Sequence, residues 1–240
     1  MRSIKLPIIK RLFRAFGIEL RRYPGMGMAE HWLQRIRPDI VFDVGANQGQ
    51  YGQWLRQERF RGQIISFEPD TDSYNGLVQV AKTDERWTCH HTAIGQHAGE
   101  VEMFVTGNAS ATSSLLEPLK DGYATTKTRR LVEVSRLDRY LEPAVQSKQR
   151  VWLKSDTQGY DLEVLRSAGE LLRGVSCIQV ECSVVVNYEG QPLIHEIIGF
   201  CNDYGFVLSD LILGMMFEGQ LIECDLIFCP FDRSRDRRLK

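Results

Sequence analysis

The sequence predicts an α/β protein built on a mostly parallel sheet. Short β-branched runs alternate with longer stretches of helical periodicity through most of the chain, which is typical of repeated strand and helix units. Two glycines follow the first strand candidate, and an acidic residue ends the second. Together these observations indicate a ligand site at the carboxyl ends of the strands.

The composition is that of one medium-sized globular domain. The 240 residues are 43% hydrophobic and 25% charged, with a formal net charge of -1, which argues against a chain that coats nucleic acid. No apolar run reaches the roughly 18–20 residues of a membrane-spanning helix, and the N-terminus does not resemble a signal peptide. The 6 cysteines contain no CxxC pair. We therefore expect reduced, mostly buried thiols in a cytoplasmic protein.

Residues 1–39 form an N-terminal extension before the first strand candidate. Residues 1–22 hold seven basic residues and one acidic residue, and apolar residues recur at helical spacing (Ile9, Leu12, Phe13, Phe16 and Leu20). This pattern predicts an amphipathic helix that either packs on the main domain or rests on an anionic membrane surface. The main domain is expected at residues 40–230, followed by a basic tail at 231–240.

The predicted elements follow in alternation. Strands are expected at 40–44, 63–67, 88–92, 151–155 and 176–181, and helices at 50–58, 72–82, 161–172 and 193–204. Two further β-like segments, 100–106 and 131–135, flank a Ser/Thr/Gly-rich stretch at 107–114. We interpret this insertion as either a polar lid over the site or an ordinary surface loop. Segments 206–209 and 223–229, with a Glu218-Gly219 turn between them, predict an antiparallel edge pair.

A glycine turn follows the first strand candidate. Gly45 and Gly49 allow the backbone to approach a ligand and the next helix to begin facing it. The spacing is Gly-x-Asn-x-Gly rather than Gly-x-Gly-x-x-Gly, which disfavours a dinucleotide and hence an NAD oxidoreductase. Asp43 would repel phosphates and attract an ammonium group. The turn therefore favours a ligand with a cationic amino-acid moiety.

Glu68 ends the second strand candidate, where an acid in doubly wound folds accepts hydrogen bonds from both ribose hydroxyls. A ribose beside a cationic amino acid indicates adenosine joined to an amino acid, and S-adenosylmethionine (SAM) is such a molecule. We therefore expect SAM as the cofactor. The residues assigned to its site are Asp43, Gly45, Asn47, Gly49, Tyr51, Glu68, Pro69 and Ala93.

Four motifs resemble the FkbM family of SAM-dependent methyltransferases. They lie at residues 42–49, 67–69, 113–115 and 153–161, the last with the specific sequence Lys-Ser-Asp-Thr-Gln-Gly-Tyr-Asp from Lys154. The resemblance covers about residues 40–229. It implies a class I methyltransferase fold with a seven-stranded Rossmann-like sheet, and O-methylation of a sugar or natural-product hydroxyl. Ser155 and Asp161 stand where the family often has Ile and Glu.

Asp156 and Glu181 are the candidates for catalytic acid–base chemistry. Asp156 follows one predicted strand and Glu181 ends the next, so both are expected at the carboxyl edge beside the cofactor. Asp156 is the first candidate for the base that takes a hydroxyl proton, but its position also suits a cofactor ligand or a helix cap. Glu181 would either share a proton with it or join it in holding a divalent cation that polarises the acceptor diol. No histidine or cysteine spacing supports a metal site.

The sequence therefore predicts a cytoplasmic SAM-dependent O-methyltransferase acting on a carbohydrate or glycan hydroxyl, with no nucleic-acid partner. If the N-terminal helix rests on a membrane, the enzyme is peripheral at the inner membrane face. O-methylation of a polyketide-type natural product is the alternative among enzymes. A catalytically inactive nucleoside-binding partner subunit is the alternative outside them, and the intact glycine and acid motifs argue against it.

Overall fold

The computed structural model describes residues 27–106, 112–120 and 126–231. The amphipathic stretch at residues 9–20 and nearly all of the basic tail lie outside the described residues, so those two predictions stay predictions. Within the described ranges, none of the helices has the length and apolar character needed to cross a bilayer.

Six α-helices and twelve strands occur in the described residues. The helices are α1 (Gly27–Ile36), α2 (Gln50–Gln57), α3 (Thr71–Ala81), α4 (Asp138–Gln146), α5 (Asp161–Ser167) and α6 (Ile194–Asp203). The first six strands are β1 (Ile40–Val44), β2 (Gln63–Phe67), β3 (Trp87–His90), β4 (Ala93–Ile94), β5 (Gly99–Thr106) and β6 (Thr126–Ser135). The remaining strands are β7 (Val151–Ser155), β8 (Cys177–Ser183), β9 (Phe206–Leu213), β10 (Met216–Phe217), β11 (Gln220–Leu221) and β12 (Glu223–Pro230).

The central sheet has seven strands in the order β3-β2-β1-β7-β8-β12-β9. The first five are parallel, and β12 runs antiparallel to both β8 and β9. This confirms the predicted mostly parallel sheet with an antiparallel pair at its edge. A small β10-β11 hairpin carries the predicted Glu218-Gly219 turn. The parallel strands put the residues that follow β1, β2 and β7, and the end of β8, at one edge of the sheet.

Two predicted boundaries and two omissions need correction. The helix expected at 161–172 is α5 followed by a 3-10 helix at Gly169–Gly174, because Gly169 takes a left-handed φ of 54°. In the insertion, β6 begins at Thr126 rather than at residue 131 and pairs with β5 and β4. The prediction missed β4, which has only two residues, and α4, which contains Pro143. Burial of Leu141 and Ala144 stabilises α4 in spite of the proline.

The core lies on both faces of the central sheet. Alternate residues of each strand enter opposite clusters, with Phe42 and Leu153 on one face and Val41 and Trp152 on the other. All 6 cysteines are free thiols. Cys177 and Cys182 lie in opposite clusters, as do Cys224 and Cys229. The two thiols of each pair therefore lie on opposite faces of the sheet.

Helix α1 belongs to the same packed unit as the sheet. Ala29 and Leu33 are buried in the cluster that contains Trp152. Trp32 Nε1 donates a hydrogen bond to Asp210 Oδ2 on β9 at 2.9 Å. The end of the N-terminal extension therefore lies against the sheet at the β9 edge.

Candidate active site

A cavity of about 360 Å3 opens at the carboxyl edge of β1, β2, β7 and β8. Its volume lies within the roughly 300–1,000 Å3 typical of small-molecule sites. Eight of the ten residues predicted for the site line it: Gly45, Asn47, Tyr51, Glu68, Pro69, Ala93, Asp156 and Glu181. The edge of the sheet thus brings together residues that are far apart in the sequence.

The glycine turn has an unusual backbone conformation. Gly45, Asn47 and Gly49 have φ values of 75°, 48° and 86°, which are left-handed and favour glycine or asparagine. A Cβ on Gly45 would lie 1.9 Å from the backbone oxygen of Asp156. Asp156 N also donates to Val44 O at 3.0 Å. A glycine is therefore needed at position 45 because the turn packs directly against the segment after β7. The sequence had suggested a different reason, the close approach of a ligand to the backbone.

Gly49 does not line the cavity, contrary to its assignment to the cofactor site. A Cβ on this residue would lie 3.0 Å from Leu77 Cδ1 and 3.3 Å from the Trp87 ring. Gly49 is the N-cap of α2. It lets α2 begin in close contact with α3 and β3, so its role is in packing behind the site.

Asp43 also lies behind the cavity wall. Its side chain is fully buried and accepts a hydrogen bond from Ser66 Oγ at 3.2 Å, while Lys154 Nζ lies 3.4 Å from its Oδ1. Burial raises the pKa of Asp43, and the charge of Lys154 opposes this rise. The ammonium group that Asp43 faces in the structure is therefore the side chain of Lys154, rather than an open position in the cavity.

Glu68 presents its carboxylate to the cavity from the end of β2. Its Oε2 accepts a hydrogen bond from Asn47 N at 2.8 Å, and its Oε1 accepts one from Asp70 N at 2.8 Å. Burial raises the pKa of Glu68 to about 7, and these two backbone donors counteract part of the rise. Each oxygen has a further lone pair, so the carboxylate is oriented to accept a pair of hydroxyl groups.

Asp156 and Glu181 lie together at the opposite side of the cavity. The side-chain amide of Gln158 donates to both, with Nε2 3.1 Å from Asp156 Oδ1 and 2.7 Å from Glu181 Oε2. Lys154 Nζ lies 3.3 Å from Asp156 Oδ2. The two acids are therefore close together, as predicted. Gln158 and Lys154, for which the sequence predicted no role, hold them in place.

The two acids have opposite pKa shifts. Burial raises the pKa of Asp156, but attraction to Lys154 and hydrogen bonds outweigh it, so this pKa is lowered. Burial raises the pKa of Glu181 well above its usual value, and the charge of Asp156 raises it further. Of the two acids, Asp156 is therefore the one that ionises more readily, and Glu181 is the one that holds a proton more tightly.

A second polar chain missed by the sequence analysis underlies this side of the cavity. The Tyr51 hydroxyl donates to Gln179 Oε1 at 2.7 Å, and Gln179 Nε2 donates to Asp225 Oδ2 at 2.6 Å. The Tyr51 ring also lies 5.3 Å from Lys154 Nζ. The available sequence signal was a polar or charged residue within each of three largely apolar strands, namely Lys154 in β7, Gln179 in β8 and Asp225 in β12.

The match to known families decides the class of this site. Residues 43–208 match the family described as Methyltransferase FkbM domain, which is more than half of the chain. The chain belongs to the FkbM methyltransferase family. It is a SAM-dependent methyltransferase with a class I fold, as the four motifs predicted.

Relatives of this FkbM methyltransferase are distant. The 2-O-methyltransferase NoeI of Sinorhizobium fredii (strain NBRC 101917 / NGR234) is 24% identical over 188 residues, covering 71% of this chain and 74% of NoeI. The magnesium protoporphyrin IX methyltransferase ChlM of Synechocystis PCC 6803, solved with bound SAM, is 12% identical with a TM-score of 0.49, covering 96% of this chain and 100% of ChlM. SAM-bound fibrillarin of Aeropyrum pernix is 10% identical with a TM-score of 0.45, covering 80% of this chain and 66% of fibrillarin.

The cavity of the FkbM methyltransferase fits SAM in its chemistry. Glu68 offers a fixed carboxylate for a ribose diol, and the neighbouring lining is apolar where an adenine ring would lie (Phe67, Pro69, Ala93 and Ile94). Four acids line the cavity, namely Glu68, Asp156, Glu181 and Asp225. Lys154 is the one cation among the described lining residues. This excess of acidic over basic groups suits a positively charged sulfonium.

The histidines His90 and His91 do not line the cavity, whereas part of the polar insertion does. Across the described residues, no group of three or more His, Cys, Asp or Glu side chains is arranged to hold a metal ion. His90 stacks on Phe67, whereas His91 stacks on Tyr74. Of the polar insertion, Ser113 and Ser114 line the cavity, while residues 107–111 lie outside the described residues.

Proposed function

We propose that this enzyme transfers the methyl group of SAM to a hydroxyl oxygen of a carbohydrate or glycan. The observation that carries the proposal is the arrangement of acids in the cavity, with Glu68 after β2 and the Asp156–Glu181 pair after β7 and on β8. Because β1 separates β2 from β7, two strand spacings, roughly 10 Å, lie between Glu68 and Asp156. This span suits a nucleoside at one end and a reacting group at the other.

Glu68 is proposed to accept hydrogen bonds from both ribose hydroxyls. Pro69 and Ala93 would contact the adenine, and the turn at Gly45 and Asn47 would contact the amino-acid part together with Tyr51. Asp43 would act indirectly, because Lys154 lies between its carboxylate and the cavity. These assignments keep the predicted cofactor and replace the predicted direct contact of Asp43.

The acceptor side favours a hydroxyl group. Ser113, Ser114 and Gln158 line it together with the acid pair, so hydroxyls and amides face the substrate. Such groups suit a polyhydroxylated molecule, which can exchange hydrogen bonds with several of them. The name of the relative NoeI, a 2-O-methyltransferase, supports oxygen as the atom that is methylated.

Positioning and proton removal are the two tasks of the protein in this reaction. SAM, when bound, supplies an electrophilic methyl group on a positively charged sulfur. The protein must hold the acceptor oxygen in line with that methyl group, which is a large part of the acceleration in such displacements. A carboxylate of the Asp156–Glu181 pair takes the hydroxyl proton as the oxygen–carbon bond forms, an effect on the order of 10²–10⁴-fold.

Mass spectrometry tests the proposed function directly. Purified protein is incubated with SAM and a panel of glycans, simple glycosides and polyketides, and each acceptor is examined for the mass gain of one CH2 group. Gain on a glycan with O-methyl linkage supports the proposal. Gain on a polyketide alone, or methylation at nitrogen, would contradict it.

Calorimetry tests the cofactor site separately. We expect S-adenosylhomocysteine to bind with a Kd on the order of micromolar, about 8 kcal/mol. Glu68→Ala should weaken this binding strongly, because the ribose diol loses its acceptor. Binding of NADH without any response to SAM or S-adenosylhomocysteine would refute the assignment.

We also propose a cytoplasmic location with peripheral contact at the inner membrane face. Free thiols at all 6 cysteines support a reducing compartment. The seven basic residues of 1–22 support contact with anionic lipid, each contributing on the order of 1 kcal/mol. Co-sedimentation of the full chain with anionic vesicles at low and high salt tests this contact. Pelleting no greater than with neutral vesicles would refute it.

A further inference from the structure

The side-chain amide of Gln158 is the only described group that donates a hydrogen bond to both acids of the pair. We propose that Gln158 is a positioning residue that ties Glu181 to the Asp156–Lys154 ion pair and so orients Glu181, rather than Asp156, as the acceptor of the substrate proton. The inference rests on the proposed function, since it concerns the proton of the hydroxyl that is methylated.

The bridge uses both hydrogens of one nitrogen. Gln158 Nε2 lies 3.1 Å from Asp156 Oδ1 and 2.7 Å from Glu181 Oε2, so one N–H is available for each carboxylate. A lysine or arginine at this place would neutralise the pair, and a carboxylate would repel it. The neutral amide holds the two acids close together while leaving their total charge unchanged.

Gln158 is itself held in place by the surrounding backbone and side chains. Its φ of 55° is left-handed, and the Ser114 hydroxyl donates to its backbone oxygen at 2.7 Å. On either side, Thr157 N and Gly159 N donate to the buried carboxylate of Asp161 at 3.0 and 3.2 Å. The Tyr188 hydroxyl, which donates to Thr112 O at 2.9 Å, lies 3.5 Å from Gln158 Oε1, on the side of the amide away from its hydrogen bonds to the acids.

Asp156 and Glu181 differ in the donors that surround them. Asp156 Oδ1 accepts a hydrogen bond from Gln158 Nε2, and Asp156 Oδ2 lies 3.3 Å from Lys154 Nζ. Both oxygens of Asp156 therefore have a partner. Glu181 accepts a hydrogen bond from Gln158 and shares one with Asp156, and it lines the cavity. A carboxylate neutralised by an ammonium group is the weaker base, and the less solvated one is the stronger.

The charges around Glu181 support the same assignment. Burial is the largest cause of the raised pKa of Glu181. Four nearby acidic side chains raise this pKa further (Asp156, Glu223, Asp161 and Asp225). The cation Lys154 lies beside Asp156 and lowers the pKa of that residue. Of the two acids, Glu181 therefore holds a proton more tightly. A positive sulfonium in the cavity favours loss of that proton, so the base forms when it is needed.

The proton step balances with this assignment. An acceptor oxygen lone pair forms the new bond to the methyl carbon, and the electrons of the carbon–sulfur bond pass to sulfur, giving S-adenosylhomocysteine. The acceptor O–H bond breaks and its proton passes to the ionised Glu181 carboxylate. Solvent removes the proton after product release. Asp156 stays ionised beside Lys154 throughout.

The first test is independent of the acceptor. The side-chain carboxyl of Glu181 is titrated by carbon-13 NMR in the S-adenosylhomocysteine complex, with its resonance identified through Glu181→Gln. Gln158→Leu keeps the approximate volume but removes both donors, and Gln158→Asn keeps an amide and suits the left-handed backbone but is too short to bridge. We expect the Glu181 midpoint to rise by about one pH unit in both variants, because a donor to the charged form is lost.

The matched control is Gln146→Leu, which makes the same change on the exposed face of α4, where Gln146 Nε2 contacts Glu142. This variant should leave the midpoint unchanged. An unchanged midpoint in both Gln158 variants, with cofactor binding intact, would overturn the inference. If the midpoint rises but no panel molecule is methylated, the proposed function fails while the positioning role stands.

The second test uses an acceptor found by mass spectrometry. In Gln158→Leu we expect kcat near neutral pH to fall on the order of 10–100-fold, with the KM for SAM within about twofold. The difference in kcat between Gln158→Leu and the unmodified enzyme should shrink at higher pH, because Glu181 then ionises even without the hydrogen bond from Gln158. A deficit equal at all pH values would indicate a purely structural role and overturn the inference, as would a Glu181→Gln enzyme with undiminished kcat.

Discussion

Lys154 Nζ lies 3.4 Å from Asp43 Oδ1, and both side chains are almost completely removed from solvent. The two residues are direct neighbours in the parallel pairing of β1 with β7. Lys154 also faces Asp156, so one buried cation connects the first strand with the acid pair of the active site. The structure thus joins the glycine turn and the most specific family motif through a single charge.

Loss of Lys154 should destabilise the fold. In Lys154→Met the Asp43 carboxylate remains fully buried without its cation, and removal of one partner from a buried pair costs about 3–5 kcal/mol. Chemical denaturation measures the free energy of unfolding. The exposed Lys82→Met serves as the control. The double variant Lys154→Met/Asp43→Asn should recover much of the loss, and an additive loss in the double variant would contradict this account.

Binding of S-adenosylhomocysteine should weaken as the pH falls through about 7. The pKa of Glu68 in the free protein is raised to about 7 by burial, so its carboxyl is protonated below that pH, whereas the ribose hydroxyls need the ionised acceptor. From about pH 8 to about pH 6 the affinity should fall roughly tenfold, with proton release on binding. Calorimetry in buffers of different ionisation enthalpy measures both effects.

Glu68→Gln provides the matched comparison for that pH dependence. It keeps the size of the side chain and removes the titrating group. Affinity should be lower than that of the unmodified enzyme at high pH and nearly constant across the range. The same slope in both proteins would assign the pH dependence to another group.

Asp156→Asn should weaken the binding of SAM more than the binding of S-adenosylhomocysteine. The pKa of Asp156 is lowered by Lys154 and hydrogen bonds against the effect of burial, so the residue is charged at neutral pH. SAM carries a sulfonium charge that the product lacks, and Asn removes only the interaction with that charge. We expect the ratio of the two Kd values to change by about three- to tenfold. The exposed Asp203→Asn should leave the ratio unchanged, and equal weakening of both ligands would indicate a direct contact with their common part.

Tyr51→Phe should cost stability through a buried hydrogen bond. The Tyr51 hydroxyl donates to Gln179 Oε1 at 2.7 Å, and both residues are buried. Phenylalanine leaves that oxygen without its donor, at a cost of about 1–3 kcal/mol. Thermal and chemical unfolding measure the loss, with Tyr74→Phe as the control on α3. An unfolding free energy equal to that of the control would show that another donor replaces the hydroxyl.

The sequence was sufficient for the parallel part of the sheet and for most of the cavity wall. The five-residue strands β1 and β7 are buried on both faces, and the sequence shows this as short runs that are apolar except for Asp43 in β1 and for Lys154 and Ser155 in β7. Glycines and acids after such runs must gather at one edge, which is why Gly45, Glu68 and Asp156 could be placed together in advance. Helix α4 was missed because Pro143 opposes a helix locally, and only packing against the core stabilises it.

Side-chain pairing depended on the tertiary structure. From residue types alone, Asp43 was expected to face a ligand, whereas strand register places Lys154 beside it. The difference in basicity between Asp156 and Glu181 likewise comes from Lys154 and Gln158, which lie at contact distance only in the folded chain. Local sequence shows which segments are apolar and which positions favour a left-handed backbone, since both follow from the residue types themselves. Electrostatic roles depend on distances of a few ångströms between strands, and those distances exist only once the sheet has formed.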